Sequence, residues 1–270
     1  MKKIAIAAAA LCAASALVPT GAVAQTTDQW QWTGVIYAYV PTIGGKTTFP
    51  QPTAGSDVSI DASQIIDNLK GVFMGSLGAK KGQWGLFTDV LYMDVGNSKS
   101  SANNFQVGRV GIPAGASANA NFDLKGTVWT LGGSYRAVTD PKGTLDVLFG
   151  ARMLDVEQSL NWQISGNIGP IPLPGRSGNL STSLSNWDAI VGVKGHLALG
   201  DSGKWFAPYY VDVGTGNSDR TWQGMVGIGY KFGWGEMVGS WRYLDYKMKS
   251  GKPIEDMNFN GPAIGAVFHW

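Results

Sequence analysis

Along most of this chain apolar and polar residues alternate one by one, the period of a β-strand whose two faces meet different surroundings. The cleanest case lies in residues 145–163, where Leu145, Val147, Phe149, Ala151 and Met153 share one face against Asp146, Leu148, Gly150 and Arg152. The same pattern predicts strands over 30–40, 71–80, 84–95 and 122–138. It recurs around Trp187 to Leu199, Trp205 to Gly214 and Trp222 to Phe232, and again in 237–248 and 260–270. In 84–95, Trp84, Leu86, Val90 and Tyr92 oppose Phe87, Asp89 and Leu91; in 122–138, Trp129, Leu131 and Tyr135 oppose Thr130, Ser134 and Arg136. The sequence WRYLDY, inside 237–248, does not hold one phase, which predicts a bulge near Leu244.

Ten strands result, and their connections differ in length. Tight turns are expected at 81–83, 139–143, 200–204 and 233–235, where Gly, Asp and Pro concentrate. Longer links fall at 41–70, 96–118 and 166–179, the last reading GNIGPIPLPGRSGN, a composition that breaks regular pairing. Within 41–70, Asp61 or Ser63 is placed to cap a short helical turn with Ile65, Ile66 and Leu69 on one face, a possible plug for a barrel. Eight or twelve strands also fit, because residues 42–61 have room for a further pair.

Alternation alone does not say which face is inside. A soluble barrel or sandwich turns its apolar face inward; a membrane barrel inverts this. The faces opposite the aromatic ones collect glycine and both signs of charge: Asp89, Arg136, Asp146, Arg152, Asp188, Lys194, Asp212, Lys231 and Arg242. Such a set suits a narrow, internally paired lumen. Trp32, Trp84, Trp162, Trp187, Trp205, Trp222 and Trp270 stand near strand ends, as aromatic girdles at a bilayer interface do. The expected fold is therefore all-β, an antiparallel transmembrane β-barrel with short turns on the periplasmic side and longer extracellular loops.

Composition and charge add an address. Lys2 and Lys3 precede an apolar run, and Ala22-Val23-Ala24 offers a small-residue cleavage site, so residues 1–24 read as a secretory signal peptide and 25–270 as the barrel. The one cysteine, Cys12, falls in that leader, leaving no thiol for a disulfide or metal site. The chain has 21 basic and 19 acidic side chains; without Lys2 and Lys3 the two are equal, so nothing points to nucleic acid.

In the last stretch, NGPAIGAVFHW, Ile264, Ala266, Phe268 and Trp270 form one face. This stretch resembles the terminal strand of bacterial outer-membrane β-barrels, whose assembly machinery reads a final aromatic and the apolar alternation before it. With IIDNLKGVFMGSLGAKKGQWGLFTDVLYMDV and GSWRYLDYKM, it is similar to a largely uncharacterised group of proteobacterial outer-membrane barrel proteins. The resemblance implies a barrel among outer-membrane lipids, delivered by barrel-assembly machinery, and brings no catalytic residue with it.

Candidate chemistry is sparse. Of two histidines, His269 sits in the closing strand and His196 lies about 25 Å from Asp188 at ~3.3 Å per residue, too far for Asp188 to orient it. GMVGIGYKFG lacks the lysine and helix start of a phosphate loop, and GTGNS between Asp212 and Asp219 does not match a calcium loop. No enzyme activity, cofactor or metal is expected. Two functions remain: a narrow or gated pore for small or amphipathic solutes, or a structural or surface-interaction barrel with a filled lumen.

Overall fold

The computed structural model describes residues 29–47, 56–96, 116–168, 171–252 and 254–270. The segment expected to be a signal peptide, 1–24, lies outside the described residues, as does most of the 96–118 link. The elements are β1 (Gln31–Tyr39), β2 (Thr42–Thr47), β3 (Ser56–Ile60), α1 (Ala62–Asp67), β4 (Leu69–Lys81), β5 (Trp84–Gly96), β6 (Ala116–Asp140) and β7 (Gly143–Ile168). They continue with β8 (Ile171–Leu199), β9 (Trp205–Gly216), β10 (Ser218–Lys231), β11 (Glu236–Met248) and β12 (Ile254–His269).

β1 and β4 to β12 form a closed, antiparallel, ten-stranded barrel, each long strand pairing with its neighbours in sequence and β12 returning to β1. Trp32 and Trp270 finish that seam with reciprocal backbone hydrogen bonds of 2.8 and 3.2 Å. Closure gives each of these strands partners on both sides, the requirement for crossing lipid. Residues 42–60 do contain an extra pair, but it leaves the strand count unchanged. β2 continues β1 along the upper part of β12, and β3 pairs with β2 there. Between this hairpin and the upper part of β4 the ladder is open, since β1 pairs with β4 only from Gln31 to Ile36. The backbone N–H of Tyr39 donates instead to the sulfur of Met74 at 3.1 Å.

Two expectations about local structure are corrected. β11 has no bulge at Leu244: it pairs in continuous register from Glu236 to Lys247 with both β10 and β12, the one register shift against β10 falling at Ser218/Arg220, and Arg242, Leu244, Tyr246 and Met248 all point inward. The 166–179 segment does not break pairing, since β7 and β8 run as one hairpin up to Ile168 and Ile171, with a register shift between Ile164 and Gly166. β9 joins β8 only from Asp188 down, so Pro172 and Pro174 stand on a strand with one free edge, where a missing N–H is tolerated.

Along the barrel axis the two faces of the strands exchange roles. On β7 the outward face runs from Val147, Phe149 and Met153 to Asp155 and Glu157, while the inward face runs from Asp146 and Arg152 to Leu154 and Val156. β8 switches from outward Val191 and Trp187 to Ser185 and Ser183, and inward from Asp188 and Asn186 to Leu184. β5 and β11 do the same, at Asp89/Leu91 and Arg242/Leu244. The turn-end half is thus a membrane barrel, apolar outside; the loop-end half has the sidedness of a water-soluble protein.

Aromatics mark the limits of the apolar band. Trp84 packs edge-on to Tyr135, and Trp205 to Tyr230, at the turn end. Trp129 against Trp187 and Trp222 against Tyr243 mark the other edge. From Tyr230 to Trp222 is eight residues, about 26 Å along the strand and roughly 20 Å along the axis at a ~40° tilt, enough for most of an outer-membrane hydrocarbon layer.

Above the band, Leu91, Val128, Leu154, Val156, Leu244, Tyr246, Met248 and Phe259 meet across the barrel in one buried apolar cluster. α1 contributes Ile65 to it. Asp61 is its N-cap, its backbone N–H donating to Oε1 of Gln64 at 3.0 Å. Only one residue of the expected apolar face enters: Ile65 is buried, whereas Ile66 and Leu69 are 60% and 40% exposed. A helix of a single turn or two offers one narrow stripe, and Ile66 is rotated about 100° from Ile65 around it.

Replacing Leu154, fully buried in this cluster, by alanine should lower the unfolding free energy by about 2–5 kcal/mol. Ile66→Ala should change it by less than about 0.5 kcal/mol. Urea unfolding of detergent-refolded protein measures both, and equal effects would contradict the packed cluster.

Candidate functional site: the barrel lumen

Below the apolar cluster the lumen is polar and arranged in layers. The uppermost is built by Arg152, whose guanidinium makes two parallel hydrogen bonds to the Asp212 carboxylate, Nη1 to Oδ1 at 3.0 Å. Both side chains are fully buried, and the Nε of Arg152 also donates to Thr130. Beside them Asp188 is held by neutral donors, the amide of Asn186 and the backbone N–H of Ser218, each at 2.9 Å.

The next layer centres on Arg242, which pairs with Asp89 at 3.3 Å and donates to the Tyr37 hydroxyl at 3.1 Å and Gln223 at 2.9 Å. Tyr37 in turn donates to Asp89 at 2.9 Å, closing a triangle among β1, β5 and β11. Phe87, Leu148 and Ile190 form a small buried apolar cluster flanked by Tyr210.

Nearest the turns, Arg136 and Asp146 form a bidentate pair between β6 and β7. Lys194 on β8 lays its ammonium 3.8 Å from the centre of the Phe87 ring. Lys80 on β4 and Lys194 both lie within electrostatic reach of Arg136 and Asp146. Lys231 is exposed at the rim, its ammonium 5.6 Å from the Phe206 ring, and so takes no part in the inner pairs. Thus eight of the nine charged positions picked out by alternation line the interior, and Lys231 lies at its mouth.

These side chains surround a cavity of about 450 Å³. It extends from Gln31, Glu236 and His196 near the turns up to Tyr37, Asp89, Thr130 and Arg242. Two inward glycines seat aromatic rings of its wall: a β-carbon on Gly132 would press on the Phe87 ring at 2.9 Å, and one on Gly229 would overlap the Phe206 ring. Beside the apolar cluster above, voids of only about 20 Å³ occur, lined by residues such as Leu91, Leu124 and Met257. Among the described residues the lumen is therefore a blind chamber, reaching the turn-end rim and stopped by the apolar cap.

Sequence reasoning missed Lys80, Tyr37, Gln223 and the cap itself. Lys80 stands on an inward position of β4, in phase with Ser76 and Met74, and strand parity alone locates it there. His196 also faces the chamber, its Nδ1 3.1 Å from the Thr144 hydroxyl and its ring edge-on to Phe206. Among the described residues no cluster of His, Cys, Asp or Glu is disposed to hold a metal ion. Ile264, Ala266, Phe268 and Trp270 face outward beside the β1 seam, the Trp270 ring lying over Gly34. The Trp162 side chain lies outside the described residues.

Neither a protein-family model nor a curated protein sequence matches the chain. Among solved structures it is similar to the outer membrane protease OmpT from Escherichia coli, with a TM-score of 0.54 at 9% identity over 92% of this chain and 99% of that one. The transport unit of the autotransporter AIDA-I from Escherichia coli aligns with a TM-score of 0.38 at 9% identity, covering 98% of this chain and 97% of that one. The Pseudomonas putida toluene transporter TodX gives 0.30 at 9% identity, covering 90% and 89%. The likeness to OmpT is one of fold: this chain has the fold of an outer-membrane β-barrel.

The Arg152–Asp212 pair provides a test of the lumen's energetics. Arg152→Met or Asp212→Leu alone leaves a buried charge without its partner and should destabilise the barrel by about 3–5 kcal/mol. The double change Arg152→Met/Asp212→Leu should recover most of that loss. Denaturant midpoints of the three refolded variants measure the coupling; additive losses would contradict it.

Proposed function

We propose that the protein is an integral barrel of a bacterial outer membrane, with a capped, non-conducting lumen, that holds a structured surface outside the bilayer. The observation carrying this reading is the apolar cap, in which Leu91, Leu154, Leu244 and Phe259 pack across the loop-end half with voids of only about 20 Å³ beside them. A narrow or gated pore, the competing reading, requires this cap to separate and bring buried apolar side chains into contact with water. Beyond the upper aromatic girdle the β7–β8 hairpin continues from about Leu154 to Ile168, roughly 50 Å of strand at ~3.3 Å per residue. That projection is the part offered to the exterior.

The proposed reading assigns no catalytic role, cofactor, metal or nucleic-acid partner. Its partners are outer-membrane lipids, along the band of Val147, Phe149, Val191, Val226 and Ile228, and the barrel-assembly machinery, through Ile264, Ala266, Phe268 and Trp270. The outward placement of those four residues on the closing strand supports the second assignment.

In planar lipid bilayers the wild-type protein should give no unitary conductance steps under conditions where an open porin conducts. Regular steps from heat-modifiable, fully folded protein would replace this reading with the pore.

Trp270→Asp puts a charge at the lipid-facing end of the β1–β12 seam and removes the ring that lies over Gly34. The variant should fail to reach the outer membrane in folded form, read as loss of the heat-modifiable band in membrane fractions. Normal assembly would refute the proposed signal.

A further inference from the structure

The chamber has a chemistry that the capped-barrel reading does not use. Its lining carries four cationic side chains, Lys80, Arg136, Lys194 and Arg242, against three carboxylates, Asp89, Asp146 and Glu236. Two carboxylates are taken: Asp89 by Arg242 and Asp146 by Arg136. Glu236 lies at the rim, 3.5 Å from His269. Neither Lys80 nor Lys194 forms a salt bridge among the described residues, and Lys194 has an aromatic face in place of an anion. A lumen that serves only as packing needs no such excess; ammonium groups that face a cavity and share their nearest carboxylate, Asp146, with Arg136 are stabilised when a further anion enters.

The charge is also one-sided. The barrel order puts β4, β5, β6, β7 and β8 side by side, and these carry Lys80, Arg136, Asp146 and Lys194. The facing half, β10, β11, β12 and β1, contributes Met225, Val238, Val267 and Val35, and its charged members, Arg242 and Glu236 on β11, already face Asp89 and His269. A wall bearing two lysines outside the salt bridges therefore faces an apolar strip of Val35, Met225, Val238 and Val267 across about 450 Å³, a volume in the range of small-molecule sites. An inorganic anion satisfies only the first wall and a hydrocarbon only the second.

We infer that the turn-end chamber is a binding site for an amphipathic monoanion, an aliphatic carboxylate whose head lies between Lys80 and Lys194 and whose chain runs along Val35, Met225 and Val238. The net excess of one cation in the lining matches a single negative charge. The ligand enters from the turn side, since the cap closes the other end. This inference uses the blind chamber but not the absence of conductance, so each stands or falls on its own measurement.

The test is calorimetric titration of the folded protein in zwitterionic detergent with octanoate, octylammonium and inorganic phosphate, each corrected against protein-free micelles. Octanoate should bind saturably at one site, with octylammonium and phosphate at least tenfold weaker. Lys80→Met/Lys194→Met should weaken octanoate by about tenfold or more, the loss of charged hydrogen bonds worth ~1.5–3 kcal/mol. Val238→Trp, which fills the apolar wall and leaves the lysines in place, should weaken it comparably, while Lys249→Met at the loop end should not. Heat-modifiability verifies folding of every variant. No saturable octanoate binding, equal binding of octylammonium or phosphate, or undiminished binding by the folded double-lysine variant would each overturn the assignment.

Discussion

The structure depends on one constraint: strands such as β5, β7, β8 and β11 pass through two media, and the face that must be apolar changes side between them. In the bilayer, water is absent outside, so Phe149, Val191 and Ile228 are at ease facing outward, and burying apolar groups in the lumen yields no hydrophobic gain over lipid. Beyond the bilayer the same backbone is surrounded by water, and the usual driving force returns, placing Leu154, Leu184 and Leu244 inside. The backbone ladder continues across the transition because strand parity does not change. Only the chemistry assigned to each parity does.

The two halves are consequently held by different forces. The loop-end cap is a conventional core, in which each buried aliphatic side chain contributes about 1.5–3 kcal/mol relative to exposure. In the membrane half the lumen is stabilised by closed polar networks. Arg152 and Asp212 are out of water altogether, and their desolvation is offset only because the geometry is bidentate and Thr130 takes a further donor. Pairing charges also lets a polar lining cross the assembly route without leaving isolated buried ions. Lys80 and Lys194 depart from this logic among the described residues, and that departure distinguishes a site from packing.

The membrane half was the legible part of the sequence. Where lipid lies on one side and paired charges on the other, contrast between successive residues is greatest, as in 145–153, and strand, face and lumen charge all follow from parity. The loop-end half was misread for the same reason. At WRYLDY the polar phase passes from the inward Arg242 to the outward Asp245, so a strand in perfect register looks broken. Pro172 and Pro174 suggested a loop because composition does not reveal that their strand has a free edge there. Ile65, Ile66 and Leu69 looked like one face, but the helix is too short to bury more than a stripe. Lys80 was overlooked because it sits beside Lys81 at a turn, where lysine ordinarily faces solvent.

A barrel capped at one end and polar at the other has a built-in direction. To let a solute pass, the cap must part and give Leu91, Leu154, Leu244 and Phe259, all buried, a wet surface; at about 25 cal/mol per Å² this is several kcal/mol even for partial exposure of a few such residues. The rim near Gln31, Thr144 and Glu236 presents no comparable barrier, since polar groups already meet water there. Exchange with the chamber is therefore confined to the turn side, while the projecting parts of β6, β7 and β8 rise from the level of the cap, beyond the chamber that the same strands line further down. What faces outward and what binds inward are separated by a layer of hydrocarbon within a single continuous sheet.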